Sequence, residues 1–316
     1  MEKIRVGISS CLLGNRVRYD GAHAHDAYLT NTWGQYMEFV PICPEAEAGL
    51  GVPREPMYLV GDGGSLRLVT VKTGKDMTRK VEAWARKRVR DLELQDLWGF
   101  IFKSNSPSCG MERVKVYTGK SSAPQKRGAG LFARIFREHY PLVPCEEETG
   151  LHDPGSRENF IDRVFTLQRW RRCLAQGKGL SRLMGFHNRH RYLLLSHSPK
   201  HYRKMEELIT SGRGTKELHV YARYGELLVK ALALKAAVNK HARVLQHMVG
   251  LLKRHMSEAE KEELLNVIRS YSEGLVPLIV PITLLNHYVE KYDQPYLKEQ
   301  VYLRPHPLEL KLRNHV

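Results

Sequence analysis

The sequence predicts an α/β domain with a mostly parallel, Rossmann-like sheet, followed by an all-α domain. The first half alternates short β-branched or aromatic runs with helical segments, as proteins with parallel sheets do, whereas strand signals cease in the second half. Between the halves, two prolines, an acidic run and the DPGS turn at 153–156 indicate a boundary. We therefore predict an α/β domain over residues 1–148 and a helical domain over 156–316.

Four runs in the first half have the composition of buried strands, being short, apolar and rich in β-branched or aromatic residues. They are residues 3–8, 38–42, 66–71 and 98–103. Residues 78–94 and 129–139 are predicted helices. In the first of these, the apolar positions fall on one helical face: Val81, Trp84, Ala85, Val89 and Leu92.

The second half shows helical spacing almost throughout. The predicted helices cover residues 157–176, 180–197, 199–211, 216–255 and 281–292. Ser257 followed by Glu260 forms a capping box that opens one further helix. We expect Trp170 to lie in the helical core and the proline-rich tail that ends the chain to lie over the surface.

Positive charge is concentrated in the first hundred residues of the helical half. The 316-residue chain has 50 Lys and Arg against 34 Asp and Glu, a net charge of +16. Residues 151–250 hold 19 basic and 7 acidic side chains, and so carry +12 of that excess. A solvated helix face is one explanation. Polyanion binding is favoured because Lys and Arg gain affinity for phosphates through counterion release. RNA is preferred over an acidic membrane because no amphipathic anchor with exposed Trp or Phe is evident.

Composition excludes several classes of protein. The longest mostly apolar run, residues 274–285, is short for a bilayer span and contains two prolines, so no membrane association is expected. The N-terminus reads as a strand without an apolar leader, which indicates a cytoplasmic protein. Five cysteines without short spacings then favour thiols or metal ligands over disulfides. The GKS at 119–121 lacks the first glycine of a P-loop, so ATP-driven chemistry is unsupported.

Three of the cysteines follow predicted strands closely. Cys11, Cys43 and Cys109 each lie within a few residues of a carboxyl end, and these ends face one crevice in an open α/β sheet. Three thiolates would leave a metal position open for substrate, although a buried free cysteine is also common as a small hydrophobe. Cys145 and Cys173 have no turn motif around them and are left outside the predicted site.

Two further residue types near these cysteines suit catalysis. Glu45 follows Cys43 by two residues, where a carboxylate could act as general acid or base or simply cap a helix. Ser106 and Ser108 frame Cys109 in the string SPSC, where turn formation is the alternative role.

Several strings together resemble the thiouracil desulfidase family. They are SxCLLG, CPE followed by Gly-Leu, KSxSPSCG, VRYDG at 17–21 and KTGKDMT at 72–78. The helical half, with GFHNRHRYLLLSHSP at 185–199, resembles the domain fused to that family in bacterial tRNA 4-thiouridine desulfidases. Two departures affect the substrate pocket: GAHAHD follows VRYD where GG is frequent, and GVPREP replaces a Thr-Pro-Arg-Pro pattern.

The resemblance implies a cofactor and a reaction. Cys11, Cys43 and Cys109 would hold a [4Fe–4S] cluster with one iron not ligated by protein, and Glu45 and Ser106 would be catalytic. The expected reaction is hydrolytic, without net redox change, and converts 4-thiouridine in tRNA to uridine with release of sulfide. Two alternatives are a desulfidase of free thiouracil or thionucleotides and a non-enzymatic RNA-binding iron–sulfur sensor.

The basic helices would then bind the tRNA through its phosphates, which position RNA without reading its sequence. His187 and His190, one turn apart, also suit helix packing or metal binding. The candidate contacts are Arg169, Arg171, Arg172, His187, Arg189, His190, Arg191, Lys200, Arg203 and Lys204.

Overall fold

The computed structural model describes residues 3–61, 65–118, 123–177, 179–212, 217–307, 310 and 312–314, except for the side chains of residues 126 and 127. The chain divides into two compact units, Met1–Asp153 and Pro154–Val316. The first is α/β and the second is helical, which confirms the predicted fold class.

The described part of the first unit contains eight strands in two four-stranded sheets. One sheet has the order β2–β1–β5–β8 and is entirely parallel, as predicted. The other has the order β4–β3–β6–β7 and is mixed. The strands are β1 (Ile4–Ser9), β2 (Met37–Ile42), β3 (Met57–Val60), β4 (Arg67–Thr70), β5 (Gly99–Phe102), β6 (Val114–Tyr117), β7 (Gln125–Gly128) and β8 (Cys145–Glu147).

The helices of the first unit lie between its strands or directly after the last of them in sequence. The helix predicted at 78–94 ends at Asp91 and continues as a 3-10 turn, and it buries Val81, Ala85 and Val89 as expected. The helices are α1 (Ala27–Asn31), α2 (Pro44–Glu47), α3 (Thr78–Asp91), α4 (Leu131–His139) and α5 (Glu148–Leu151).

An aromatic cluster fixes the parallel sheet against α4. Phe100 and Phe102 of β5 are fully buried, with ring centroids 4.1 Å apart, and both contact Phe132 and Phe136 of α4. Each such burial contributes about 1.5–3 kcal/mol. A Cβ on Gly7 of β1 would lie 2.4 Å from the Phe100 ring, so only glycine permits this packing.

The second unit is built from helices that pack pairwise around one core. Trp170 is buried in it, as predicted. The capping box is confirmed, since Ser257 and Glu260 exchange side-chain to backbone hydrogen bonds. The helices are α6 (Pro154–Ala175), α7 (Leu180–Arg189), α8 (Arg191–His197), α9 (Pro199–Ser211), α10 (Glu217–Leu232), α11 (Val238–Leu252), α12 (Glu258–Ser272), α13 (Ile279–Lys291) and α14 (Pro295–Lys298).

The C-terminal tail packs into the helical unit, so the prediction that it lies over the surface is wrong. Tyr302, Leu310 and Leu312 are buried. Arg313 is also buried, and its Nε donates to Glu158 Oε1 of α6 at 3.1 Å. The tail lacks helical spacing, but burial of its apolar side chains still stabilises the folded state. An arginine that is paired with a carboxylate can be buried beside them. None of the described helices has the length and apolarity needed to cross a bilayer.

Candidate active site

A cavity of about 280 Å³ lies at the carboxyl ends of β1, β2 and β5. This volume is close to the lower end of ligand pockets, roughly 300–1,000 Å³. The location is where parallel sheets place their ligands, because the loops leaving neighbouring strands meet there. Its lining comes from residues 9–11, 17–19, 42–45, 54, 103–107 and 109.

The cavity brings the three predicted cysteines together. Cys11 lies in a 3-10 turn after β1, Cys43 precedes α2, and Cys109 lies in the turn that connects β5 to β6. All three are free thiols and line the cavity. Cys145 and Cys173 are buried elsewhere, in β8 and α6, and do not line it.

Burial and mutual repulsion keep these three thiols protonated. Burial, followed by the charge of Cys43, raises the pKa of Cys11 to about 11. Burial also raises the pKa of Cys43, and it raises the pKa of Cys109 far above its ordinary value. A positively charged metal centre would reverse this effect, because metal binding releases protons from its thiol ligands.

The donor set of the cavity suits an iron–sulfur cluster. Among the residues that the structure describes, no group of three or more His, Cys, Asp or Glu side chains is arranged to hold one metal ion. A single zinc ion draws its thiolates to about 2.3 Å, whereas an iron–sulfur cluster is larger and places each thiolate on a different iron. Three soft thiol donors around a cavity of this size fit such a cluster.

Glu45 is held at the cavity wall from both sides. Arg54 Nε and Nη2 donate to Glu45 Oε2 at 2.7 and 2.5 Å, and Ser108 Oγ donates to Glu45 Oε1 at 2.8 Å. The side chains of Arg54 and Glu45 are only 6% and 13% exposed. Charge-assisted hydrogen bonds of this length fix the orientation of the carboxylate.

Arg54 was not predicted as a site residue, although it lies in the GVPREP string that departs from the family pattern. Besides Glu45, its Nη1 donates to the carbonyl oxygens of Val17 and Gly51, each at 3.0 Å. The guanidinium therefore ties the loop after β1 to the carboxylate that follows β2. That loop contact is a tertiary feature, and residue spacing gives no signal for it.

Ser106 and Ser108 have different roles in the structure. Ser106 Oγ accepts hydrogen bonds from the backbone N–H of Ser108 and Cys109, at 3.3 and 3.1 Å, while Ser108 is the serine bonded to Glu45. Ser106 lines the cavity, and neither of its bonds uses the hydroxyl proton. The turn is packed closely, since a Cβ on Gly130 would lie 2.4 Å from the Ser108 carbonyl carbon.

Glu148, a buried residue of the acidic run at the predicted domain boundary, supports the same wall of the cavity. Glu148 accepts from Lys103 Nζ at 2.6 Å, from Ser104 N at 2.6 Å and from Ser104 Oγ at 2.7 Å. Lys103 and Ser104 line the cavity. Glu148 therefore anchors the segment that carries Ser106 and Cys109.

In the helical unit, the structure separates the predicted RNA contacts into exposed and buried groups. Arg171 and Arg191 are partly exposed. The exposed members are Arg172, Arg189, Lys200, Arg203 and Lys204.

The prediction that His187, His190 and Arg169 contact phosphate is corrected, because all three are directed into the helical core. Both histidines are buried, with the His187 ring stacked on Tyr202 and His190 Nδ1 donating to Phe186 O. Burial lowers their pKa values to about 4 and 3, so both are neutral. The Arg169 guanidinium donates to Pro305 O, and its burial lowers its pKa to about 10.

Two family models match the two parts of the chain separately. The model of the 2-thiouracil desulfurase family matches residues 6–148, and that of a family of proteins of unknown function, DUF1722, matches residues 191–307. The uncharacterized protein YbbK of Bacillus subtilis (strain 168) is 31% identical over 147 residues, covering 45% of this chain and 95% of YbbK. The uncharacterized protein YbgA of Escherichia coli (strain K12) is 29% identical over 158 residues, covering 50% of this chain and 94% of YbgA.

One solved structure is also similar, a [4Fe-4S]-dependent thiouracil desulfidase with 27% sequence identity and a TM-score of 0.40, which covers 48% of this chain and 95% of its own. The cavity and its three cysteines lie within the part of the chain matched by the first family model. The chain belongs to the 2-thiouracil desulfurase family, with a DUF1722 region joined to the family domain.

Proposed function

We propose that this chain is an iron–sulfur-dependent desulfidase that converts 4-thiouridine in tRNA to uridine and releases sulfide. The observation that carries the proposal is the convergence of three free cysteines and Glu45 on one cavity at the ends of parallel strands. A soft thiol set beside an oriented carboxylate suits hydrolysis of a thiocarbonyl group.

In this proposal Cys11, Cys43 and Cys109 hold a [4Fe–4S] cluster with one iron free of protein ligands. When bound, the cluster would supply a soft Lewis acid for the thiocarbonyl sulfur. Lys103 and Glu148 keep the Cys109 segment in place, and Arg54 keeps the loop after β1 next to Glu45.

Glu45 is the general base. It takes a proton from the water that attacks the ring carbon and delivers it to the sulfur. The proton of the added hydroxyl follows as the C–S bond breaks, so that C=S and H₂O become C=O and H₂S. No electron is transferred. Arg54 and Ser108 hold one carboxylate oxygen each, so the remaining lone pairs of Glu45 keep a constant direction. Ser106, with its hydroxyl proton uncommitted, orients the water or the base by donating to it.

In this proposal the helical unit binds the tRNA. Its seven exposed or partly exposed candidate contacts are arginines and lysines, which attract phosphate irrespective of sequence. A cytoplasmic location belongs to the same proposal, because the three free thiols that line the cavity are typical of a reducing compartment.

Desulfidation of free thiouracil is the second candidate function. The description of the family that matches residues 6–148 favours it, and the whole cavity lies within that segment. Under this alternative the charge of +12 in residues 151–250 would have no part in substrate binding.

One experiment tests both candidates. Protein reconstituted anaerobically with iron and sulfide is incubated with 4-thiouridine-containing tRNA or with free thiouracil, and sulfide release and loss of thiocarbonyl absorbance are measured. We expect turnover of tRNA; turnover of free thiouracil alone would establish the second candidate. No sulfide from either substrate with a full iron content would refute the enzyme and leave the RNA-binding sensor.

Variants separate cluster binding from chemistry. Cys109→Ala is expected to abolish iron binding, whereas Cys145→Ala, which removes a buried thiol outside the cavity, keeps it. Glu45→Gln is expected to retain iron and lose turnover. Loss of iron in Cys145→Ala, with retention in Cys109→Ala, would contradict the ligand assignment.

A further inference from the structure

The mouth of the cavity carries an aromatic ring and a guanidinium that the desulfidation chemistry leaves unused. Tyr19 lines the cavity and is 41% exposed, so its ring lies where the cavity meets solvent. Arg18 lines the cavity as well, and its Cζ lies 5.7 Å from the centroid of the Tyr19 ring. The two residues therefore form one continuous part of the rim, which we call the 18–19 rim.

The backbone holds the 18–19 rim in place without a ligand. Gly21 N–H donates to Arg18 O at 3.0 Å, which closes a tight turn. Arg54 N–H donates to Tyr19 O at 2.8 Å, so the residue that orients Glu45 also anchors the rim. A ring fixed in this way loses little conformational entropy when a ligand stacks on it.

The charge of Arg18 is only weakly engaged. Its Nε lies 3.5 Å from Asp20 Oδ1, and both side chains are about one-third exposed. An exposed ion pair of this kind contributes little to stability, so a phosphate can readily replace the carboxylate. A guanidinium also binds phosphate through two parallel hydrogen bonds.

We propose that the 18–19 rim recognises a nucleotide, with Tyr19 stacking on the thiolated pyrimidine and Arg18 pairing with its phosphate. The inference rests on the proposed desulfidation, because the thiocarbonyl must face the cysteines for the sugar and phosphate to emerge at the rim. The substrate is then a thiolated pyrimidine nucleotide, free or within RNA, and a free base would leave Arg18 without a partner. Base stacking on an aromatic side chain strengthens binding roughly 5- to 100-fold.

A substrate series with one reactive base tests the phosphate contact. The series is 4-thiouracil, 4-thiouridine, 4-thiouridine 5′-monophosphate and thiolated tRNA, each measured with reconstituted protein at equal iron content. We expect kcat/KM for the monophosphate to exceed that for the nucleoside at least tenfold, and Arg18→Gln to bring the ratio close to one. Arg16→Gln removes the same charge from an exposed residue outside the cavity and is expected to keep the ratio. A wild-type ratio near one would overturn the phosphate contact.

The stacking contact has its own test. Tyr19→Leu is expected to lower kcat/KM roughly 5- to 100-fold for every substrate in the series, which corresponds to the loss of one stacking contact. Tyr19→Phe, which keeps the ring, should recover most of that loss. An equal loss in both variants, or no loss in Tyr19→Leu, would refute stacking.

Binding of the unreactive product distinguishes failure of the rim from failure of the desulfidation. Uridine 5′-monophosphate is titrated into reconstituted wild type, Arg18→Gln and Arg16→Gln by calorimetry. Weaker binding in Arg18→Gln alone supports the rim even if no thiolated substrate reacts. Equal binding in all three, together with turnover of free base and nucleotide at the same rate, would overturn the rim and leave the desulfidation standing. If only thiolated tRNA reacts, weaker binding of uridine 5′-monophosphate by Arg18→Gln alone supports the rim, and equal binding by all three proteins overturns it.

Discussion

Mild acid is expected to destabilise the helical unit through two buried histidines. Burial lowers the pKa of His190 to about 3 and that of His187 to about 4. Both would titrate near 6.5 in the unfolded chain. Below pH 6.5 the unfolded state therefore binds protons that the folded state excludes. Their contribution to stability is complete above that pH and is lost progressively as the pH falls.

The magnitude follows from the number of excluded protons. Each one lowers the free energy of unfolding by about 1.4 kcal/mol per pH unit between pH 6.5 and the folded-state pKa. His187 and His190 together give a slope of about 2.7 kcal/mol per pH unit near pH 5. Since a domain is stable by about 5–15 kcal/mol, one pH unit removes a large part of its stability.

His190→Gln isolates one of the two protons. Hydrogen exchange of peptides from α7 and α8, measured by mass spectrometry from pH 7 to pH 5, gives the opening free energy of this region at each pH. Other groups contribute to the absolute slope, so the comparison is between variant and wild type. We expect the slope to fall by about 1.4 kcal/mol per pH unit in His190→Gln. His219→Gln, which replaces an exposed histidine of α10, should leave it unchanged. An unchanged slope in His190→Gln would refute the reasoning.

Three further predictions concern the site, the RNA surface and the tail. Arg54→Lys keeps the positive charge but loses the paired donors on the proposed base, so kcat should fall roughly 10- to 100-fold at unchanged iron content; a drop in iron would make the arginine structural. Arg189→Glu with Arg203→Glu should weaken tRNA binding and flatten its salt dependence, measured by filter binding at several salt concentrations, and an unchanged slope would move the RNA surface elsewhere. Arg313→Met removes one partner of the buried Arg313–Glu158 pair and should destabilise the helical unit by about 3–5 kcal/mol in urea denaturation, whereas a loss below about 1 kcal/mol would show that the pair contributes little.

The parallel sheet and its cysteines were predictable because both depend on local sequence. β1, β2 and β5 are short runs rich in apolar side chains, and the residues that follow parallel strands share one edge whatever the loops between them do. The second sheet was missed for the opposite reason. β6 and β7 have only four residues each, too few for a clear pattern, and they are stabilised by pairing with each other and, for β6, with β3. The predicted run at 66–71 consequently belongs to that sheet, as β4, and not to the parallel one.

The contacts of Glu45 were not predictable, because they depend on how separate loops pack against one another. Arg54 is nine residues from Glu45 and Ser108 is 63 residues away. In the SPSC string both serines suit a turn, and only the packed backbone shows that Ser108 reaches the carboxylate while Ser106 closes the turn. Residue types near a strand end thus predict which chemistry is present, but they do not predict which neighbour orients it.

Loss of the two histidines from the predicted RNA surface leaves the electrostatic reasoning intact. The excess of +12 in residues 151–250 counts histidine as neutral, so it comes entirely from lysines and arginines. Only Arg169 among the predicted arginines and lysines is directed into the core. Helical spacing predicted the helices of 185–199, but a string such as FHNRHR alternates residues that face the core with residues that face solvent. Arg189 and His190 are adjacent in sequence, yet one is exposed and the other stacks on Phe186, so the RNA surface must be defined by helix face and not by the density of basic residues.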